Sequence, residues 1–170
     1  YKNEWTKKFK IFANLAKKNY VKIIVGISPG YGFDFSELLI DNAKKKKTKD
    51  IKTLYNKFKY FIKNGADEIA LLFDDLPNNF KESHNLSVSE GYAHALLANK
   101  MSSEFKKFIF VVPRIYSDQL IYEDKNYLSD FKKQINKDII CFYSGRNIVS
   151  KSIDSQTTIK ISKTLSSNLK

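Results

Sequence analysis

The stretch Glu68-Ile69-Ala70-Leu71-Leu72-Phe73-Asp74-Asp75-Leu76-Pro77 decides the fold. Its apolar run lacks strict alternation, which marks a strand covered on both faces rather than one side of an open antiparallel sheet. Two carboxylates end it, and Pro77 cannot lie inside a central strand. The same pattern recurs on either side. Val21 to Ile27 is β-branched and stops at Ser28-Pro29-Gly30. Phe108 to Val112 is halted by Pro113, and Asp138 to Tyr143 by Ser144-Gly145.

Helical patterns separate these strands. Thr6 to Lys18 carries Phe9, Phe12, Leu15 and Ala16 at helical spacing. A second helix starts at a cap on Thr48 or Asp50, is striped by Ile51, Leu54, Tyr55, Phe58 and Ile62, and ends at Gly65. Further helices are predicted over Ser89 to Phe105 and near Leu128 to Ile135. Ser36 to Lys47 reads as a short extra helix or insertion. The stretch up to about Ser87 and that from Arg114 to Asn126 read as loops, and the tail from Asp154 as polar and helical at best.

Strands separated by helices imply parallel β-α-β units. A full (β/α)8 barrel needs ~250 residues, so 170 residues hold about four strands. The fold class is α/β: one β/α segment over residues 1–170, either an open sheet or a partial barrel. In both, ligands gather where the strands' C-terminal ends meet solvent. Ser28-Pro29-Gly30, Asp74-Asp75, Arg114-Ile115-Tyr116 and Tyr143-Ser144-Gly145 all fall there.

The net charge of +12 raises a nucleic-acid reading, but the basic residues are nearly all lysine. Only Arg114 and Arg146 offer the planar fork that nucleic-acid surfaces favour. Lys44-Lys45-Lys46-Lys47 reads as a solvated helix end or loop, so no nucleic-acid partner is assigned. No apolar run approaches the ~20 residues of a membrane span. Cys141 is the single cysteine, so no intrachain disulfide or thiolate cluster exists, and its apolar neighbours mark it as a core residue. His84 in a polar loop and His94 inside a helix lack ligand partners at metal spacing.

Adjacent carboxylates repel, which pushes their proton affinities apart. One can stay ionised while the other donates a proton, as glycoside cleavage requires. A substrate with a 2-acetamido group supplies its own nucleophile, and the enzyme then needs one carboxylate for the acetamido N–H and one acid/base. The plainer reading of Asp74-Asp75 is a turn or a helix cap.

Five pieces in order carry a family resemblance: Gly26-Ile27-Ser28-Pro29-Gly30, Gly65 to Asp75, Ala93-His94-Ala95-Leu96-Leu97-Ala98-Asn99, Val112-Pro113-Arg114-Ile115-Tyr116, and Tyr143 to Ser150. Together they resemble the β-N-acetylglucosaminidase domain of glycoside hydrolase family 84, which includes O-GlcNAcases and enzymes historically called hyaluronidases. The resemblance spans roughly Trp5 to Ile153. It implies a (β/α)8 barrel and a retaining, substrate-assisted mechanism with no metal or other cofactor. The partner it implies is an N-acetylglucosamine-containing glycan or glycoprotein.

By that resemblance Asp74 orients and polarises the acetamido group, and Asp75 is the general acid/base. Tyr116 contacts the acetamido or oxazoline region. Tyr143, where many members have Trp, and Gly30 join it as substrate contacts. Arg114-Ile115 replaces a common Thr-Glu pair. The family's substrate-binding lysine and its asparagine and aspartate sugar contacts lie on strands before and after those present here. A segment of this length is expected to show open strand edges and apolar surface. The alternative function is a degenerate, non-catalytic sugar-binding or interaction domain. Oligomeric state stays open, as does location: secreted or cell-surface in a bacterium, cytoplasmic in a eukaryote.

Overall fold

The computed structural model of the chain describes residues 3–30, 32–39, 49–84, 86–106, 109–152 and 154–165. The order is α1 (Asn3–Lys18), β1 (Ile24–Ile27), a 3-10 turn (Ser36–Leu39), α2 (Lys49–Lys63), β2 (Glu68–Leu72), α3 (Phe80–His84), α4 (Glu90–Phe105), β3 (Ile109–Val112), a second 3-10 turn (Asp118–Glu123), α5 (Tyr127–Gln134), β4 (Ile140–Cys141) and α6 (Ser155–Leu165). The tetralysine run and the end of the Ser36–Lys47 insertion lie outside the described residues, as does Phe108, the expected start of the third strand.

The four strands form one sheet in the order β1-β2-β3-β4, and every neighbouring pair is parallel. Ile69 faces Ile109 and Leu72 faces Val112 in register. Consecutive parallel strands in sequence order, each followed by a helix, make the arrangement of a partial (β/α)8 barrel. Ile69, Leu71, Phe73, Ile109, Val111 and Cys141 are buried in the core. Cys141 is thus a small packed side chain, and burial pushes its thiol up to about 12.

Local chemistry explains the helix ends. Ser89 caps α4, accepting from the Tyr92 N–H through its hydroxyl at 3.3 Å. Gly65 closes α2 at φ 113°. There Ala66 N donates to Phe61 O at 3.0 Å and Gly65 N to Ile62 O at 3.2 Å, the paired bonds of a glycine C-cap. At Gly91 a β-carbon would come 2.2 Å from the Tyr127 carbonyl oxygen. Glycine there is what lets α4 and α5 pack backbone to backbone.

Three elements differ from the sequence reading. The polar loop before Ser87 contains α3, anchored by Phe80 and His84, whose rings both pack on Phe35. The loop from Arg114 to Asn126 contains the second 3-10 turn. The fourth strand narrows to Ile140–Cys141, because it pairs with β3 alone. On α1, Ala13 and Ala16 are buried, whereas Phe12 and Leu15 are exposed with Ile11. With β1 and β4 as the sheet's outer strands, this is the expected open edge and apolar surface. Among the described residues, no helix is long and apolar enough to cross a membrane.

Candidate active site

At the C-terminal end of β2, Leu76 N donates to Phe73 O at 3.2 Å. The turn so closed has Asp74 and Asp75 as its two central residues. They are therefore turn residues, and the turn presents them at the ligand-binding edge of a parallel sheet. Asp74 is half-buried and Asp75 exposed. Burial raises the Asp74 proton affinity, its own backbone hydrogen bond opposes this, and the Asp75 charge adds to the rise.

Tyr116 follows β3 by four residues and is half-buried. Its phenol is held above the usual range by burial, then by the charges of Asp74, Asp75 and Glu123. The two carboxylates and the phenol thus share one electrostatic neighbourhood, although 40 residues separate them in the chain.

Tyr143 joins the group through the backbone. Ser144 N donates to Tyr116 O at 2.8 Å, Asp118 N to Gly145 O at 2.9 Å and Gln119 N to Arg146 O at 3.1 Å. The Ser144 hydroxyl adds a bond to Tyr116 O at 3.2 Å. These bonds zip the exits of β3 and β4 together beyond the end of their pairing. Within this ladder the Tyr143 hydroxyl donates to Asp118 Oδ1 at 2.9 Å. Burial, followed by Asp118, pushes that phenol upward.

Gly30 stands apart. Its carbonyl accepts from Phe33 N at 3.2 Å, and a β-carbon there would meet nothing within 4 Å. It lines a small cleft with Leu76, Pro77, His84, Glu90 and His94. Asp74, Asp75, Tyr116 and Tyr143 do not line that cleft.

Sequence reading took Arg114 for a loop residue, and this is where it missed most. Arg114 is 2% exposed. Its Nε donates to Glu90 Oε2 at 2.7 Å and its Nη1 to Glu123 Oε2 at 2.7 Å. Its backbone N–H donates to the Tyr127 hydroxyl at 3.0 Å, and its guanidinium carbon lies 5.4 Å from the centre of the Tyr127 ring. The Tyr127 hydroxyl in turn meets His94 Nδ1 at 2.9 Å. That hydroxyl therefore links the Arg114 backbone to the His94 ring.

His94 packs flat on Phe73, with centroids 3.9 Å apart. It is a packing residue of α4. Burial and then Arg114 and His84 hold it well below the usual histidine range. Burial raises the Glu90 proton affinity against the pull of Arg114. One signal could have found this cluster: an arginine directly after a strand-ending proline, in a chain with only two arginines.

The arrangement offers two carboxylates and a phenol at one strand-end edge, backed by a rigid double loop. The comparisons bear on the family and the fold. The model of the family described as beta-N-acetylglucosaminidase matches residues 1–169. Among solved structures, the chain is similar to CpGH84B at 22% identity and TM-score 0.77, covering 97% of this chain and 28% of that one. It is similar to a mutant O-GlcNAc hydrolase of Thermobaculum terrenum at 21% identity and TM-score 0.78, covering 97% and 34%. It therefore spans about a third of the length of these structures. No curated protein matches it. Matched by that family's model along almost its whole length and built on a sheet of four parallel strands, this chain is a member of the beta-N-acetylglucosaminidase family.

Proposed function

We propose that the protein hydrolyses terminal β-linked N-acetylglucosamine from a glycan or glycoprotein by a retaining, substrate-assisted mechanism, and that residues 1–170 form one segment of its catalytic barrel. The observation that carries this is the Asp74-Asp75 turn at the C-terminal end of β2, within electrostatic reach of Tyr116.

The roles divide as follows. The acetamido oxygen of the substrate attacks C1. The bond from C1 to the leaving oxygen breaks, and Asp75 gives that oxygen its proton. Asp74 accepts the acetamido N–H, which increases the electron density on the attacking oxygen. Its raised proton affinity makes it a stronger acceptor while it remains ionised. Tyr116 contacts the oxazoline region. Water then opens the oxazoline at C1 and loses its proton to Asp75. Two inversions at C1 leave its configuration retained. Tyr143 and Gly30 are proposed as sugar contacts, Tyr143 through its ring because its hydroxyl is engaged by Asp118.

The non-catalytic reading draws only in part on Arg114-Ile115 standing in place of Thr-Glu. Both side chains are buried, and Arg114 is tied to Glu90 and Glu123. The test uses the full-length protein and a chromogenic aryl N-acetyl-β-glucosaminide. Asp75→Ala lowers turnover by ~10²–10⁴-fold, as expected for loss of a proton-transfer group. Equal activity in the two proteins sinks the assignment.

A further inference from the structure

Arg114 leaves the sheet two residues ahead of Tyr116, where strand pairing no longer holds the backbone. Three elements seize it there. Glu90 comes from the first turn of α4, Glu123 from the 3-10 turn that follows Tyr116, and Tyr127 from α5. Ile115 and Ser117, the neighbours of Tyr116, are fully buried. On the far side, Ser144 holds the Tyr116 carbonyl through its N–H and its hydroxyl. Tyr116 is the one residue between these anchors whose side chain reaches the surface.

Resting on the function proposed above, we propose that Arg114 is a positioning residue for Tyr116, setting its phenol against the Asp74-Asp75 turn from within the core. A single buried cation bonded to two acids on two elements has one low-energy placement, because each displacement lengthens a charge-assisted bond. The backbone N–H bond to Tyr127 fixes the same residue along a second direction. Groups supported this way hold their geometry within the ~0.5 Å that catalysis needs. A misplacement of ~1 Å can cost ~10²-fold in rate.

A purely architectural Arg114 would behave differently. Its loss would lower stability, and any rate loss would be the same whether or not Tyr116 kept its hydroxyl. A double-mutant cycle separates the two roles. In the full-length protein, with an aryl N-acetyl-β-glucosaminide, Arg114→Met lowers kcat by ~10–100-fold and leaves KM within about threefold. In a Tyr116→Phe background the same change lowers kcat by less than about threefold, because there is no hydroxyl left to misplace. Arg114→Lys restores part of the kcat in the Tyr116 protein only.

Rate losses that multiply across the cycle overturn the proposal. If Arg114→Met fails to fold, Glu123→Gln removes a single anchor and carries the same cycle to the same two outcomes. Asp75→Ala is the control for the underlying reading. If it keeps wild-type activity, the catalytic reading falls and takes this inference with it. If it is inactive while the cycle is multiplicative, the inference alone falls.

Discussion

The Tyr143 hydroxyl donates to Asp118 Oδ1 across 2.9 Å, a side-chain bond between the loop leaving β4 and the loop leaving β3. It lies beside backbone bonds that join the same loops. Tyr143→Phe removes it without changing the ring. The expected loss of stability is about 1 kcal/mol, read as a lower urea midpoint. In an Asp118→Ala background the further loss should nearly vanish. An unchanged midpoint for the single variant would show that the bond does not form in solution.

Gly91→Ala should be more damaging. The added methyl would lie 2.2 Å from the Tyr127 carbonyl oxygen, and backbone cannot rotate away as a side chain can. Stability should fall by about 1–3 kcal/mol or more. A thermal transition within a degree of wild type would contradict the close approach of α4 and α5.

The reach of sequence reasoning can be judged from such positions. Long elements with strong periodicity were legible: α2 came with its stripe and its Gly65 end, α4 with its span from Ser89 to Phe105, and β2 with its closing acids. Short ones were not. α3 has five residues, too few to display a helical period, and it is held by Phe80 and His84 meeting Phe35 from another part of the chain. At the site, the strand-end rule brought Asp74, Asp75 and Tyr116 to one edge. It also led to Gly30, which the structure places in a neighbouring cleft. The partners of Arg114 were hidden because they lie on three elements, and no local pattern encodes a contact made only on folding.

Tyr20 provides a stabilising change. α1 ends with Val21 N donating to Ala16 O and Tyr20 N to Lys17 O, the same paired bonds that close α2. At α2 the left-handed position holds Gly65; at α1 it holds Tyr20, with φ 58° and 99% exposure. The left-handed conformation costs a side-chain-bearing residue ~1–2 kcal/mol, of which glycine's extra unfolded-state freedom returns ~0.5–1. Tyr20→Gly should therefore raise stability by about 0.5–1 kcal/mol. A lower denaturation midpoint would contradict this.

The pH profile follows from Asp74. Burial places its proton affinity above the ordinary carboxylate value of 3.8. The ionised form is much the stronger acceptor for the acetamido N–H. Activity should accordingly rise with pH through an acid limb lying above 3.8 rather than at it. Asp74→Asn should abolish that limb together with most of the rate. The sign for stability is opposite to that of a salt-bridged aspartate. The Asp74 contribution is fully present below its unfolded value and is lost as pH rises through the folded one. An acid limb of kcat/KM at or below 3.8 would contradict the assignment.

The Arg114 cluster also limits how this protein can change over generations. Removing one partner of a buried ion pair typically costs ~3–5 kcal/mol, whereas replacing the whole set with well-packed apolar side chains can be neutral. Arg114, Glu90 and Glu123 are far apart in sequence, so no single nucleotide change can exchange them together. Each one-step neighbour of this sequence at those positions is a less stable protein. The descendants of this chain should keep all three residues or have lost all three, with intermediates surviving only where some other part of the molecule had first gained stability to spare.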